Sequence, residues 1–234
     1  MATPPYRLYG AVTPNVGKVT ALLEEIGASY DLVMIDVAGG EQHQPPFAAI
    51  NPNAKVPVLE DREAGGLRLA ESGAILLYLA EKHGAMLPAD PVKRAVAYQW
   101  LMFQMSGIGP MLGQLRHFRM VALAGNDHAL ARYGDEAVRL FTVLNNQLQG
   151  QDFVADTLTI ADFALYPWFH FIDIYRAQGI DFGLDPVRFP AIAQWQERCR
   201  TRPSMAKGMA VLEARLEEAI AALRQAGRWS DAPA

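Results

Sequence analysis

With 234 residues the chain has room for one or two domains. Its 21 basic and 25 acidic residues leave a formal charge of −4, with 51% hydrophobic and 20% charged residues, which excludes a disordered chain and a strongly basic nucleic-acid binder. One cysteine, Cys199, permits neither an internal disulfide nor a multi-thiolate metal site and suits a reducing compartment. Residues 1–7 carry Pro4-Pro5 and no apolar h-region, and no stretch reaches the ~18 uninterrupted apolar residues of a membrane span. A cytoplasmic chain without membrane or nucleic-acid partners is expected.

The first third alternates short apolar runs with helical patterns. Residues 6–10 read as a strand. Val16, Val19, Leu22, Leu23 and Ile26 then recur on one helix face, with Thr13 as N-cap, Pro14 as first residue and Gly27 as stop. Leu32-Val33-Met34-Ile35 is continuous, as expected for a strand covered on both faces and parallel to the first. A Gly/Pro-rich connection over residues 39–52 follows. Residues 55–60 form either an edge strand or one that begins just after Pro57, since proline cannot donate to a central ladder. Residues 61–66 turn the chain, residues 67–69 return as its hairpin partner, and Glu71-Ser72-Gly73 opens a helix over 74–83. The order β-α-β, loop, β-β-α is the thioredoxin-like arrangement.

After a short linker at 86–91 the pattern is helical only, over 92–105, 111–123, 129–148, 160–177, 192–199 and 205–223. Thr159 to Asp162 has a capping-box form. Pro110 and Pro167 are expected to kink or break their helices, and residues 227–234 to form a frayed tail. The expected fold class is therefore α/β plus all-α: a thioredoxin-like domain over residues 1–87, then an all-helical domain over 91–226.

Several chemistries fail on spacing. Gly10 to Lys18 imitates a phosphate loop, but its glycines are seven apart and Val19 stands where a metal-binding hydroxyl is needed. The five histidines show no His-x-x-x-His pair, so no metal is expected. Cys199 reads as a buried structural cysteine.

Thr13-Pro14-Asn15 occupies the turn where a thioredoxin-like domain would carry a redox cysteine. The helix N-terminus there stabilises a thiolate, yet a hydroxyl and an amide replace the sulfur. Alone this is a plain helix cap. Val56-Pro57 falls where the fold places a cis-proline that turns backbone groups toward a peptide. Glu71-Ser72 can hold an ammonium and a carboxylate, and Gln42 lies in the loop after the second strand. Each also has a bland reading, as edge-strand proline, N-cap serine and loop glutamine. Together they meet the needs of a γ-glutamyl tripeptide.

These residues resemble a cytosolic glutathione transferase over nearly the whole chain. Thr13-Pro14-Asn15, the run from Asn51 to Pro57, Glu71 to Ile75 and Gly109 to Gln114 are similar to the bacterial nu class. That resemblance implies a homodimer that takes glutathione, reduced or oxidised, as co-substrate. It implies an electrophile cleft walled by the helical domain, and glutathione-dependent disulfide reduction with weak transferase and peroxidase activity. By the same resemblance Thr13 and Asn15 face the glutathione sulfur, Gln42 and Val56 hold the backbone, and Glu71 and Ser72 hold the γ-glutamyl end. The second substrate would be a small-molecule disulfide or electrophile. The other readings are a non-catalytic binding or regulatory protein of this fold and an ether-cleaving or dehalogenating transferase. For the last, Trp100, Phe103, Phe118, Tyr166, Trp168 and Phe169 could line an aromatic pocket, although such residues more often form core.

Overall fold

The computed structural model describes residues 3–120 and 125–227. Strand β1 (Tyr6–Gly10) leads into helix α1 (Pro14–Glu25) and strand β2 (Tyr30–Met34). A 3-10 turn (Glu41–His43) and the short helix α2 (Pro45–Ala48) interrupt the Gly/Pro-rich connection. Strands β3 (Val58–Asp61) and β4 (Leu67–Ala70) precede helix α3 (Ser72–His83). The sheet runs β2-β1-β3-β4, with β1 parallel to β2 and antiparallel to β3.

Alternation along the strands divides two cores. Tyr6, Leu8 and Leu59 face the main core shared with α1 and α3, while Tyr9 and Val58 join Ile35 and Phe47 of α2 on the opposite face. Two strand expectations are refined. The third strand begins after Pro57 and lies inside the sheet between β1 and β4. Strand β2 is an edge strand whose five residues are all half-buried, so its unbroken apolar run does not reflect full cover on both faces.

From Pro91 onward the described chain is helical: α4 (Pro91–Phe103), a π-helical turn (Gln104–Ile108), α5 (Gly109–Met120), α6 (Asp127–Gln147), α7 (Ile160–Ala177), α8 (Pro190–Thr201), α9 (Pro203–Glu213) and α10 (Leu216–Gln225). Asp162 closes the capping box, accepting from Thr159 N at 3.0 Å while Thr159 Oγ1 accepts from Ala161 N at 3.3 Å. It also accepts from Val154 N and Trp195 Nε1, and burial still raises its carboxyl to about 6.

Pro110 lies just inside α5, after the π turn that ends α4. Pro167, by contrast, does not break α7, which runs uninterrupted and buried on most sides. The single helix expected over 205–223 is two, because the chain tightens at Ala214-Arg215, where Arg215 N bonds to Leu212 O. The end of the helix expected over 111–123 and the tail after residue 227 lie outside the described residues.

Helix α1 is the keystone between the two parts. It packs on α3 from one side and on α7 and α9 from the other. Two glycines permit this. A Cβ at Gly208 of α9 would meet Ala21 backbone at 2.5 Å, and one at Gly17 would meet Met209 Cε at 2.8 Å. Thr20 Oγ1 donates to Gly208 O at 2.9 Å across the same seam, and Arg202 holds Glu25 at 2.8 Å through Nε.

Candidate active site

Two adjoining hollows open where the N-terminus of α1 meets α3 and α5. The smaller, about 280 Å³, is lined by Asn15, Asn51, Asn53, Lys55, Val56, Pro57, Glu71, Ser72 and Met105. The larger, about 670 Å³, shares Asn15, Lys55, Glu71 and Met105, adds Lys18 and Gln104, and is walled by α5 and by Trp168 of α7. Four of the six residues singled out from the sequence (Asn15, Val56, Glu71, Ser72) thus converge on one cleft.

Each is placed by local chemistry. Thr13 has extended φ/ψ and its hydroxyl oxygen accepts from Val16 N at 3.3 Å, so it is the helix cap that the sequence predicts. No acidic residue occupies the first turn of α1, so the positive end of the helix dipole is left uncompensated beside Asn15. The Val56-Pro57 peptide is cis and the β3 ladder starts only at Val58, which leaves the Val56 peptide group outside it. Asn51 braces this loop, donating to Lys55 O at 2.8 Å and accepting from Asn53 N at 3.1 Å.

Glu71 has the unusual backbone of this set. It is the residue before α3, with φ 71°, a left-handed value that a non-glycine side chain rarely adopts, and it is exposed to the cleft. Ser72 is therefore the first helical residue and not the N-cap. Its hydroxyl points inward to Lys18.

Gln42 and Thr13 do not line either hollow. Gln42 is buried, its amide 3.5 Å from Val37 O and its Oε1 without a partner. Of the six aromatic candidates Trp168 alone lines the cleft, whereas Trp100, Tyr166 and Phe169 are buried in the core.

Two polar residues escaped the sequence reading. Lys18 is only 1% exposed, and its ammonium donates to Gln104 Oε1 at 2.6 Å and Ser72 Oγ at 3.2 Å, with Met105 Sδ at 3.3 Å. Burial pulls it down to about 7, against the opposing pull of the Glu71 carboxylate. Ser72 Oγ accepts from Lys18 and in turn lies 3.8 Å from Met105 Sδ, a weak acceptor that its proton can leave for a better one in the cleft. Gln104 reaches Lys18 from the π turn, a distortion that often marks functional sites.

Cys199 lies elsewhere, fully buried on α8, with burial holding its thiol well above the usual range. Among the described residues no group of three or more His, Cys, Asp or Glu could hold a metal ion, and no helix is long and apolar enough to cross a membrane.

The geometry is matched by comparison with known proteins. The glutathione S-transferase N-terminal domain profile fits residues 4–81, and the corresponding C-terminal domain profile fits residues 127–198. The chain is 42% identical over 214 residues to the disulfide-bond oxidoreductase YfcG of Escherichia coli (strain K12), an alignment covering 89% of this chain and 95% of that protein. Its fold is similar to a glutathione transferase family member from Pseudomonas fluorescens pf-5 with two glutathione bound (TM-score 0.81, 37% identity, 87% of this chain and 92% of that one). It is similar also to a glutathione transferase from Pseudomonas putida with one glutathione disulfide bound per subunit (TM-score 0.82, 36% identity, 89% and 92%). A thioredoxin-like sheet, an all-helical second half and a polar cleft between them, matched by both domain profiles and by relatives over most of their length, make this chain a member of the glutathione S-transferase family.

Proposed function

We propose that the chain is a glutathione-dependent disulfide reductase of the nu type, with weak transferase and peroxidase activity. The observation that carries this reading is the absence of a protein thiol at the site: Asn15 occupies the cleft, and the lone Cys199 is sealed in the helical core. The reducing thiols then come from glutathione. One bound thiolate attacks the substrate disulfide and expels one substrate thiolate. A second glutathione thiolate attacks the mixed disulfide, releasing the other substrate thiol and leaving oxidised glutathione. Two thiols are oxidised for each disulfide reduced. The names of YfcG and of the two structures support this assignment.

Glu71 takes the γ-glutamyl ammonium, Ser72 donates to its carboxylate, and the Val56 peptide group pairs the tripeptide backbone. The Asn15 amide, with the Thr13 hydroxyl and the α1 N-terminus, lowers the thiol pKa by favouring the thiolate. Gln42 joins this set only by rotating its side chain outward. A cytoplasmic location fits the requirement for reduced glutathione. Exposed apolar residues Leu67, Val92, Val96 and Met102 support a homodimer, which sedimentation would detect.

The test is glutathione-dependent reduction of a small model disulfide. Absence of turnover, with conjugation of a chloronitrobenzene intact, would make the protein an ordinary transferase. Failure to bind glutathione at millimolar concentration would favour a non-catalytic role.

A further inference from the structure

Asn15 presents an amide to the cleft, and an amide has two unlike ends. Only the Nδ2 end can donate a hydrogen bond to a thiolate, and the Oδ1 end would repel one. What selects between them is on the opposite side of the cleft. The indole Nε1 of Trp168, on α7, lies 3.3 Å from Asn15 Oδ1, across 153 positions of sequence. An indole N–H is a donor and never an acceptor, so the atom it meets must be the oxygen. The remaining end of the amide, Nδ2, is the one offered to the cleft.

Trp168 lies against α5. A Cβ at Gly113 would lie 3.7 Å from the indole Cη2, and one at Gly109 would lie 3.5 Å from Cε2, both ordinary contact distances. Trp168 remains only half-buried along the cleft wall.

We infer that Trp168 is a positioning residue that orients the Asn15 amide toward the glutathione sulfur, so that the helical domain takes part in thiol activation. The inference rests on the function proposed above for the assignment of sulfur to Asn15. It couples the two domains directly. Displacing the helical domain by the width of one hydrogen bond would leave the amide free to turn.

The experiment measures the pKa of the bound thiol in the full-length protein, from thiolate absorbance near 240 nm in the presence of saturating glutathione. This readout needs no turnover, so it separates failure of the inference from failure of the disulfide-reductase reading. Trp168→Phe keeps an aromatic ring and removes the donor. The thiol pKa is expected to rise, and kcat for disulfide reduction to fall roughly three- to tenfold, the range for one neutral hydrogen bond, with little change in glutathione KM. In an Asn15→Ala background the same substitution should move neither quantity, which a merely structural role for the ring would not predict. If Trp168→Phe does not fold, Trp168→Met serves instead, because it fills the space without an N–H donor, and the same rise is expected. A wild-type thiol pKa in the folded variant, or a shift that persists undiminished in the Asn15→Ala background, overturns the inference.

Discussion

Replacing Lys18 with methionine tests the buried cluster under the cleft. The side chain keeps nearly its length and loses the ammonium that holds Gln104 and Ser72. Burial lowers the lysine from 10.5 to about 7 in the folded protein. The unfolded chain therefore holds the extra proton throughout the interval between those values, and stability rises with pH across it. Below pH 7 both states are protonated and the burial cost is fully present. Integrated from pH 6 to pH 9, the wild-type protein gains about 2–3 kcal/mol from this group alone.

Lys18→Met lacks that gain. At pH 9 the variant is also expected to be the less stable, because Gln104 Oε1 is left buried without its donor, at a cost of about 1–3 kcal/mol. Toward pH 6 the deficit should shrink or reverse. Urea unfolding of both proteins at pH 6, 7, 8 and 9, at one fixed protein concentration, reads the difference directly, and the groups common to both cancel. Parallel stability curves would refute the reasoning, because they would mean that the Lys18 proton is held equally in the folded and unfolded chains.

Asn15→Ala is expected to slow disulfide reduction by roughly one to two orders of magnitude, the worth of ~1.5–3 kcal/mol for a hydrogen bond to a charged group. Glutathione KM should change less, and an unchanged pH–rate profile in the folded variant would transfer the role to Thr13 or to backbone N–H groups. Cys199→Ser should leave turnover within a few-fold, since the thiol is buried on α8 and raised out of the reactive range. A loss beyond about a hundredfold in a folded protein would demand an internal thiol mechanism. Asp162→Ala strips the acceptor from Thr159 N, Val154 N and Trp195 Nε1. Chemical denaturation should show a loss of about 3 kcal/mol or more, and a loss below about 1 kcal/mol would mean that these donors find other partners.

Much of this architecture is local chemistry and so was legible in the residues themselves. Thr13 and Pro14 start α1 because a hydroxyl acceptor and a locked φ suit a helix N-terminus, and Thr159 with Asp162 close a capping box across one turn. The apolar periodicity of the second half declares helices, and the missing cysteine beside Asn15 points to a borrowed thiol. Periodicity could not reveal the break at Ala214-Arg215, since the apolar spacing runs on across it, nor the π turn at Gln104–Ile108. Neither could it reveal the fate of Lys18, which a solitary α1 would hold out to water. Its burial is decided when α3, α7 and α9 pack around α1 and the π turn brings Gln104 within 2.6 Å from 86 positions away. The orientation of Asn15 is decided likewise, by an indole 153 positions distant. Caps and periods are properties of neighbouring residues, whereas a buried cation and an oriented amide are properties of surfaces that meet only once the chain has folded.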